Sequence, residues 1–417
     1  MTLRVAMLSV HTCPLAALGG KETGGMNVYV REVSRELGRM GVEVDVFTRS
    51  QNAAIPRVVQ MDDRVRVVHL AAGPEAPIPR ERVFAHLDEF IDGVEAWRIE
   101  CAVDYDLIHA HYWLSGVVGL ALRDRWSAPV LQMFHTLGRL KNHVATGAAD
   151  REPAVRLGEE ARIVGEVDRI VAANLVERAE LVSHYAARAE RIVAIPCGVD
   201  TELFAPQSAD AARRRLEVEG PLLLYVGRIA PIKGLATLLD AVAFLRAGGR
   251  PVRLWIVGGE ADEPTDGHEV SLRRRVATLG LDGAVRFLGP QPQDVLPLYY
   301  AAADATVLPS RYESFGMVAL EAMACGSPVI ASRVGGLTTT VRDGVTGFLV
   351  REGNVAALAD RIDRLLGDPD LAWRLGREGV RWAARHRWPC VAEAVCREYA
   401  RLAVGAEPHL AAARCRD

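Results

Sequence analysis

Short apolar runs recur along the chain with helical segments between them, and this alternation limits the folds open to it. The runs stand at residues 3–10, 42–48, 65–70, 107–109, 130–134, 169–173 and 192–195, then at 222–226, 254–257, 285–288 and 304–308. Runs of this kind suit strands buried on both faces, and helices between them lead to a doubly wound parallel sheet. The series breaks once. After Pro196-Cys-Gly-Val-Asp200 the chain turns rich in Ala, Pro and polar residues around 204–212, and a second series opens at 222. The expected architecture is therefore α/β with two such domains, 1–203 and 204–388, followed by a last helix within 389–417 and a loose tail from Ala406. A chain of 417 residues can bury two cores.

Composition narrows the function classes. Half of the residues are hydrophobic, a quarter are charged and the formal net charge is −3, which argues against a general binder of nucleic acid or of membrane surfaces. Seven cysteines are scattered without a Cys-x-x-Cys pair, so neither a disulfide framework nor a zinc site is expected, and a reducing cytoplasm fits. No segment approaches an apolar membrane span, and no signal peptide is expected in residues 1–10. A dinucleotide fingerprint would put Gly-x-Gly-x-x-Gly straight after the first strand. His11-Thr-Cys-Pro stands there, and no Walker A sequence occurs.

The stretch from Tyr312 to Val350 carries the chemistry. It reads strand end, turn, helix and strand, with Ser314 and Gly316 in the turn, a helix over 317–325 and Gly326 as its stop. Glu313 and Glu321 bracket the helix start. Unpaired N–H groups there, at the positive end of the helix dipole, suit an anion, and two carboxylates beside it suit the hydroxyl groups of sugars. Gly227-Arg228-Ile-Ala-Pro-Ile-Lys233-Gly234 follows another strand, so Arg228 and Lys233 stand at a carboxyl edge, where open α/β sheets bind ligands. A guanidinium fork and an ammonium point charge suit a diphosphate, each bond contributing roughly 1.5–3 kcal/mol.

Glu-x7-Glu, followed by Gly-Ser-Pro-Val-Ile-Ala and Gly-Gly, resembles the retaining glycosyltransferases of family 4, and the likeness runs over essentially the whole chain. It implies the GT-B fold: two Rossmann-like domains facing across a cleft, with the last helix crossing back to the first. It implies a UDP-sugar donor, with Glu313 on the donor sugar, Glu321 on the ribose and Arg228 and Lys233 on the diphosphate. Gly24, Gly25, Gln291, Phe315, Gly316, Met317 and Val318 complete the implied donor contacts, and the segment from Arg286 to Gln291 resembles the one that holds the base. His135 resembles the family's histidine near the donor sugar, which makes Arg228, Lys233, Glu313 and His135 the implied catalytic set.

Gly24-Gly25-Met26-Asn27 and the segment from Tyr105 to Gly116 resemble the inositol-phosphate glycosyltransferases of mycothiol synthesis. Leu-Gly-Arg139-Leu-Lys141 and the segment from Pro79 to Phe90 resemble sucrose-phosphate synthases instead. Both subfamilies imply a phosphorylated acceptor, 1D-myo-inositol 3-phosphate or fructose 6-phosphate, and a UDP-GlcNAc or UDP-glucose donor. The implied acceptor residues are His11, Met26, Asn27, Arg80, Tyr112, Thr136, Lys141 and Arg156. Cations drawn from distant parts of the chain, with no acidic partners evident, suggest an acceptor phosphate, and loss of Arg156 is expected to raise the KM of phosphorylated acceptors alone. His109 and His111 alternate on a strand, but no third ligand stands at metal spacing. The resemblance implies no catalytic cofactor, leaves room for a non-catalytic Mg2+ and for a homodimer, and gives no place to nucleic acid or membrane. No acidic residue beside His135 stands out as a nucleophile, so same-face substitution is expected, a leaving phosphate oxygen taking the proton. A sugar-nucleotide sensor without activity is the reading from another class; the intact cations and carboxylates oppose it.

Replacing Lys233 with Ala is expected to weaken UDP binding and lower turnover by about 10²-fold or more, as loss of a preorganised charge partner does. Steady-state kinetics with calorimetric UDP titration checks this, and near-normal values would refute the leaving-group role.

Overall fold

The computed structural model describes residues 2–16, 24–145, 147–259 and 267–403; the tail expected from Ala406 and part of the loop before Gly24 lie outside them. The chain divides into two compact units, one holding residues 2–16, 25–197 and 388–403, the other residue 24 and residues 198–387.

The first unit is built on eight strands: β1 (Arg4–Leu8), β2 (Glu43–Arg49), β3 (Val58–Asp62), β4 (Val65–Leu70), β5 (Leu107–His111), β6 (Val130–Met133), β7 (Arg169–Ala172) and β8 (Ile192–Ala194), in the order β3-β4-β2-β1-β5-β6-β7-β8. All neighbours are parallel except β3, which runs antiparallel to β4. The apolar runs become central strands because both faces are covered: Val5, Met7, Val46, Ile108 and Leu131 are all buried. β3 was missed because it is an edge strand with a largely exposed pattern and no apolar run to betray it.

The second unit repeats the plan with β9 (Leu222–Val226), β10 (Arg253–Val257), β11 (Val285–Phe287), β12 (Ala305–Leu308), β13 (Val329–Ser332) and β14 (Gly347–Val350), in the order β11-β10-β9-β12-β13-β14, all parallel. Leu223, Leu238, Ile256, Val307 and Ile330 share its core, each fully buried aliphatic chain contributing about 1.5–3 kcal/mol. The units part between Cys197 and Gly198, ahead of the boundary at 203 read from composition. Phe204, at the start of the Pro-rich segment, packs edge-on to Tyr300 at 6.1 Å in the second unit, and the segment taken for a linker runs into the Ala209–Arg215 helix.

The last helix, Trp388–Leu402, belongs to the first unit. It packs on the Gly25–Arg39 helix, with Trp388 edge-on to Tyr29 at 5.8 Å. Arg169 Nε donates to Glu398 Oε2 at 2.7 Å, and the Tyr399 hydroxyl lies 2.7 Å from His109 Nδ1. This second packing surface explains why Tyr29 is buried on the Gly25–Arg39 helix along with Val30, Val33 and Leu37, while Asn27 is buried through its bonds to Thr12 and Cys13 and Met26 stays half-buried. Among the described residues, Cys13, Cys101, Cys197, Cys325 and Cys396 are free thiols. No helix among the described residues is long and apolar enough to cross a membrane.

Tyr399→Phe is expected to lower stability by about 1–3 kcal/mol, because it leaves His109 buried without its hydroxyl partner. Urea denaturation followed by tryptophan fluorescence gives the loss, and an unchanged midpoint would mean that the contact adds nothing.

Candidate functional site

In the second unit, the candidate side chains collect where strands β9 and β12 end. Past β9, Tyr225 is buried and its hydroxyl donates to the Arg228 carbonyl at 2.8 Å, fixing the turn that carries the exposed Arg228. A single 3-10 turn, Pro231–Lys233, ends at Gly234 in the left-handed region with φ 67°. A β-carbon on Gly234 would stand 2.1 Å from the Pro309 carbonyl oxygen, so only glycine lets this turn press against the loop after β12. Arg311 N–H donates to the Ile232 carbonyl at 2.8 Å across the same contact. The result is a pair that lies 80 residues apart in sequence: Lys233 Nζ and Glu313 Oε2 are 2.5 Å apart.

Glu313 is held from the other side as well. β-Carbons on Gly335 and Gly336 would come within 2.2 Å of the Glu313 and 2.1 Å of the Ser314 carbonyl oxygens, and Gly336 N–H donates to the former at 2.9 Å. Thr340 Oγ1 donates to the buried Phe315 carbonyl at 2.7 Å. The Met317–Ala324 helix then starts from Gly316, and no side chain caps it. Met317 and Val318, half-buried, supply its first N–H groups.

Glu321 is buried on that helix rather than on its surface. The Tyr300 hydroxyl donates to its Oε2 at 3.0 Å, and Gln293 also bonds it. Burial pushes its carboxyl up to about 7, against the pull of those two donors. Gln291 is half-buried and donates to the Leu288 carbonyl at 2.9 Å. Tyr225, Gln293, Tyr300 and Thr340 were missed, since an isolated tyrosine, threonine or amide carries no motif.

In the first unit, the candidate residues collect at the carboxyl ends of β1, β5 and β6. Tyr112 directly follows β5 and His135 follows β6; both have left-handed backbones, φ 77° and 60°. Such strain costs on the order of 1–3 kcal/mol in a non-glycine residue and marks a site held by its surroundings. His135 Nε2 lies 2.9 Å from Nδ1 of the buried His111, and the Tyr29 ring meets both imidazoles edge-on. His11 packs on Tyr112 with ring centroids 4.5 Å apart. Burial pulls the pKa of His11 and His135 down to about 3, helped at His11 by Arg80, His135 and Arg156. Both rings are therefore neutral near pH 7 and act through hydrogen bonds rather than charge. Asn27 is also buried, and its amide donates to Thr12 Oγ1 at 2.6 Å and the Cys13 carbonyl at 2.7 Å, so it shapes the loop after β1. Gly24 is half-buried and Gly25 exposed, just ahead of and at the start of the following helix.

The remaining acceptor candidates form one ionic cluster, and it corrects the expectation of cations without acidic partners. Arg156 is 1% exposed, not a solvated helix charge. Its Nε donates to Glu160 Oε1 at 2.7 Å, Nη1 to the Tyr112 hydroxyl at 2.9 Å, and Nη2 to the Thr136 carbonyl at 2.8 Å and Oγ1 at 3.0 Å. Nη1 is also 2.9 Å from Glu152 Oε2. A guanidinium has five N–H groups, and these contacts engage the whole fork. Glu160, fully buried, further accepts from Gly138 N–H at 2.9 Å and from the Tyr185 hydroxyl. Arg156 thus braces the Thr136–Gly138 loop, and its loss disturbs structure as well as charge. The other Glu152 oxygen, Oε1, pairs with Lys141 Nζ and stands 3.7 Å from Arg80 Nη2. Burial alone would raise the Glu152 carboxyl, but Arg156, Lys141 and Arg80 bring it down to about 2. Lys141 moves down too, because burial and the neighbouring Arg156 and Arg80 outweigh what Glu152 returns. Facing three cations, the carboxylate is the member whose charge is secure. Among the described residues no group of three or more His, Cys, Asp or Glu is placed to hold a metal ion.

Comparison with known proteins adds the following. A family model described as "Glycosyltransferase Family 4" matches residues 23–203, and one described as "Glycosyl transferases group 1" matches residues 207–382. A D-inositol 3-phosphate glycosyltransferase of Acidothermus cellulolyticus is 42% identical, over 95% of this chain and 90% of that protein. One from Geodermatophilus obscurus is 44% identical, over 88% and 83%. Among solved structures, the sucrose-phosphate synthase of Thermosynechococcus elongatus has a TM-score of 0.89 at 38% identity, covering 96% of this chain and 99% of that one. Anabaena HepE, solved with UDP and glucose, has a TM-score of 0.75 at 22% identity, covering 96% and 100%.

Proposed function

The chain is a glycosyltransferase of the family that these two models describe, with a GT-B fold, and from that premise we propose that it moves a hexosyl group, with retention, from a UDP-sugar to 1D-myo-inositol 3-phosphate. The donor half of the reading rests on Arg228, Lys233, Glu313 and Glu321. Lys233 is an ammonium already set against the loop that carries Glu313, so it is preorganised for the charge that grows on a leaving diphosphate. Glu313 and Glu321 accept from donor-sugar and ribose hydroxyls, and the uncapped start of the Met317–Ala324 helix offers N–H groups to the phosphates. The acceptor hydroxyl attacks the anomeric carbon as its bond to the diphosphate breaks, and a leaving phosphate oxygen takes the proton. His135, neutral at this pH, contributes a hydrogen bond and not a proton.

One observation carries the acceptor half: Arg80, Lys141 and Arg156 converge on a single buried carboxylate, Glu152, while Glu160 takes only Arg156 and the exposed Glu81 takes only Arg80. An anion completes it, and a phosphate on the acceptor is the simplest one. The chain's greater likeness to named D-inositol 3-phosphate glycosyltransferases, at up to 44% identity, ranks inositol phosphate ahead of fructose 6-phosphate.

UDP release measured with inositol 3-phosphate, fructose 6-phosphate and free inositol, each against UDP-GlcNAc and UDP-glucose, tests this reading. Inositol 3-phosphate is expected to give the highest kcat/KM, and free inositol to fall about ten- to a hundredfold below it, the value of one charge-assisted contact. Equal rates with inositol and its phosphate would reject the phosphate acceptor. A second expectation concerns pH. Ribose hydroxyls favour the ionised form of Glu321, whose carboxyl sits at about 7 when free. Affinity for UDP-glucose therefore rises with pH, by about tenfold from about pH 6 to 8, and levels off above. Glu321→Gln is expected to bind more weakly with a flat profile, and a parallel profile in the variant would take the dependence away from Glu321.

A further inference from the structure

Glu152 splits its two oxygens between two kinds of cation. Oε2 holds Arg156, whose side chain is 1% exposed, while Oε1 holds Lys141 and faces Arg80, whose side chains are 21% and 24% exposed. The carboxylate itself is only 5% exposed and is anchored through its backbone, with N–H donating to Asn142 Oδ1 at 2.6 Å and its carbonyl accepting from Asn142 Nδ2 at 3.3 Å. Arg156 is engaged on every side. The two cations that an outside anion can reach are Lys141 and Arg80, which share Oε1 of Glu152, and Arg80 also donates to the exposed Glu81 at 3.4 Å.

We propose that Glu152 is an internal counterion standing in for the acceptor's phosphate: it keeps Arg80 and Lys141 assembled in the empty protein and yields them to the phosphate, so it sets how tightly phosphorylated acceptors bind. This rests on the phosphorylated-acceptor reading. A phosphate dianion brings two charges and three acceptor oxygens against the single charge of Oε1 and Oε2 together, so it wins the two reachable cations while Arg156 retains Oε2. An unphosphorylated polyol has nothing to offer Lys141 and Arg80 in exchange, and Glu152 keeps them closed to it. Glu152 is thus a specificity residue that opposes binding of the very group the site recognises, a form of selection by competition. No chemical step passes through it.

The test is Glu152→Gln, which keeps the shape and removes the charge. Inorganic phosphate, titrated calorimetrically and as an inhibitor of the transferase, is expected to bind the variant about ten- to a hundredfold more tightly than the parent. UDP affinity should not change, and phosphate should raise the variant's Tm more than the parent's. Equal or weaker phosphate binding in the variant would overturn the proposal, since it would mean that Glu152 only supports the cations. If Glu152→Gln fails to fold, Glu152→Asp retains the charge but draws it back by one methylene. Tighter phosphate binding by Glu152→Asp supports the proposal, and unchanged or weaker binding overturns it. The phosphate-acceptor reading fails separately, through the parent protein's indifference to acceptor phosphorylation. The ratio between variant and parent bears on Glu152 alone.

Discussion

Where Gly234 meets Pro309, and where Gly335 and Gly336 meet Glu313 and Ser314, main chain packs on main chain with no room for a side-chain carbon. Everything proposed for the donor half depends on these contacts. They bring a lysine and a glutamate 80 residues apart in the chain to one point and hold the loop before the Met317–Ala324 helix from two sides. Long, flexible side chains become preorganised only when their backbones are fixed, and transition-state stabilisation by charge requires that the charges need not reorganise. The glycines contribute no chemistry themselves, yet a methyl group at any of the three would displace the residues that do.

The first unit reaches rigidity by another route. Its loop after β6 is tied down by ions: Glu160 and Glu152 grip Arg156, and Arg156 grips Tyr112 and Thr136. Burying several ionised groups is costly unless each finds partners, and removing one partner from such a set costs about 3–5 kcal/mol. The cluster is therefore a structural keystone as well as the anion site proposed for it, and the two roles fall on different members. Arg156 is saturated; Lys141 and Arg80 remain within reach of solvent.

The fold was legible because a parallel sheet covered on both faces demands unbroken apolar runs, and those runs predicted the central strands to within a residue or two at most ends. The exposed edge strand was not legible: β3 has largely solvated side chains, so nothing selects for apolar residues there. Glu313, Glu321, Arg228 and Lys233 were legible as candidates because motif spacing singles them out. Glu152 and Glu160 were invisible, since a glutamate on a helix reads as a surface charge until its burial is known, and the argument from unmatched cations failed for that reason. Tyr300 and Thr340 were hidden likewise, acting through one hydrogen bond each on a residue elsewhere in the chain.

The last helix has a consequence for biogenesis. The first unit closes only when residues 388–403 return to it, and that helix supplies Trp388 to Tyr29, Tyr399 to His109 and Glu398 to Arg169. A ribosome makes the chain from one end, so the whole second unit must emerge before the first can finish burying its core. Until then the apolar side of the Gly25–Arg39 helix stands open to water. The unit that is begun first is completed last, which makes synthesis order, rather than intrinsic stability, the point at which this chain is most exposed to misassembly.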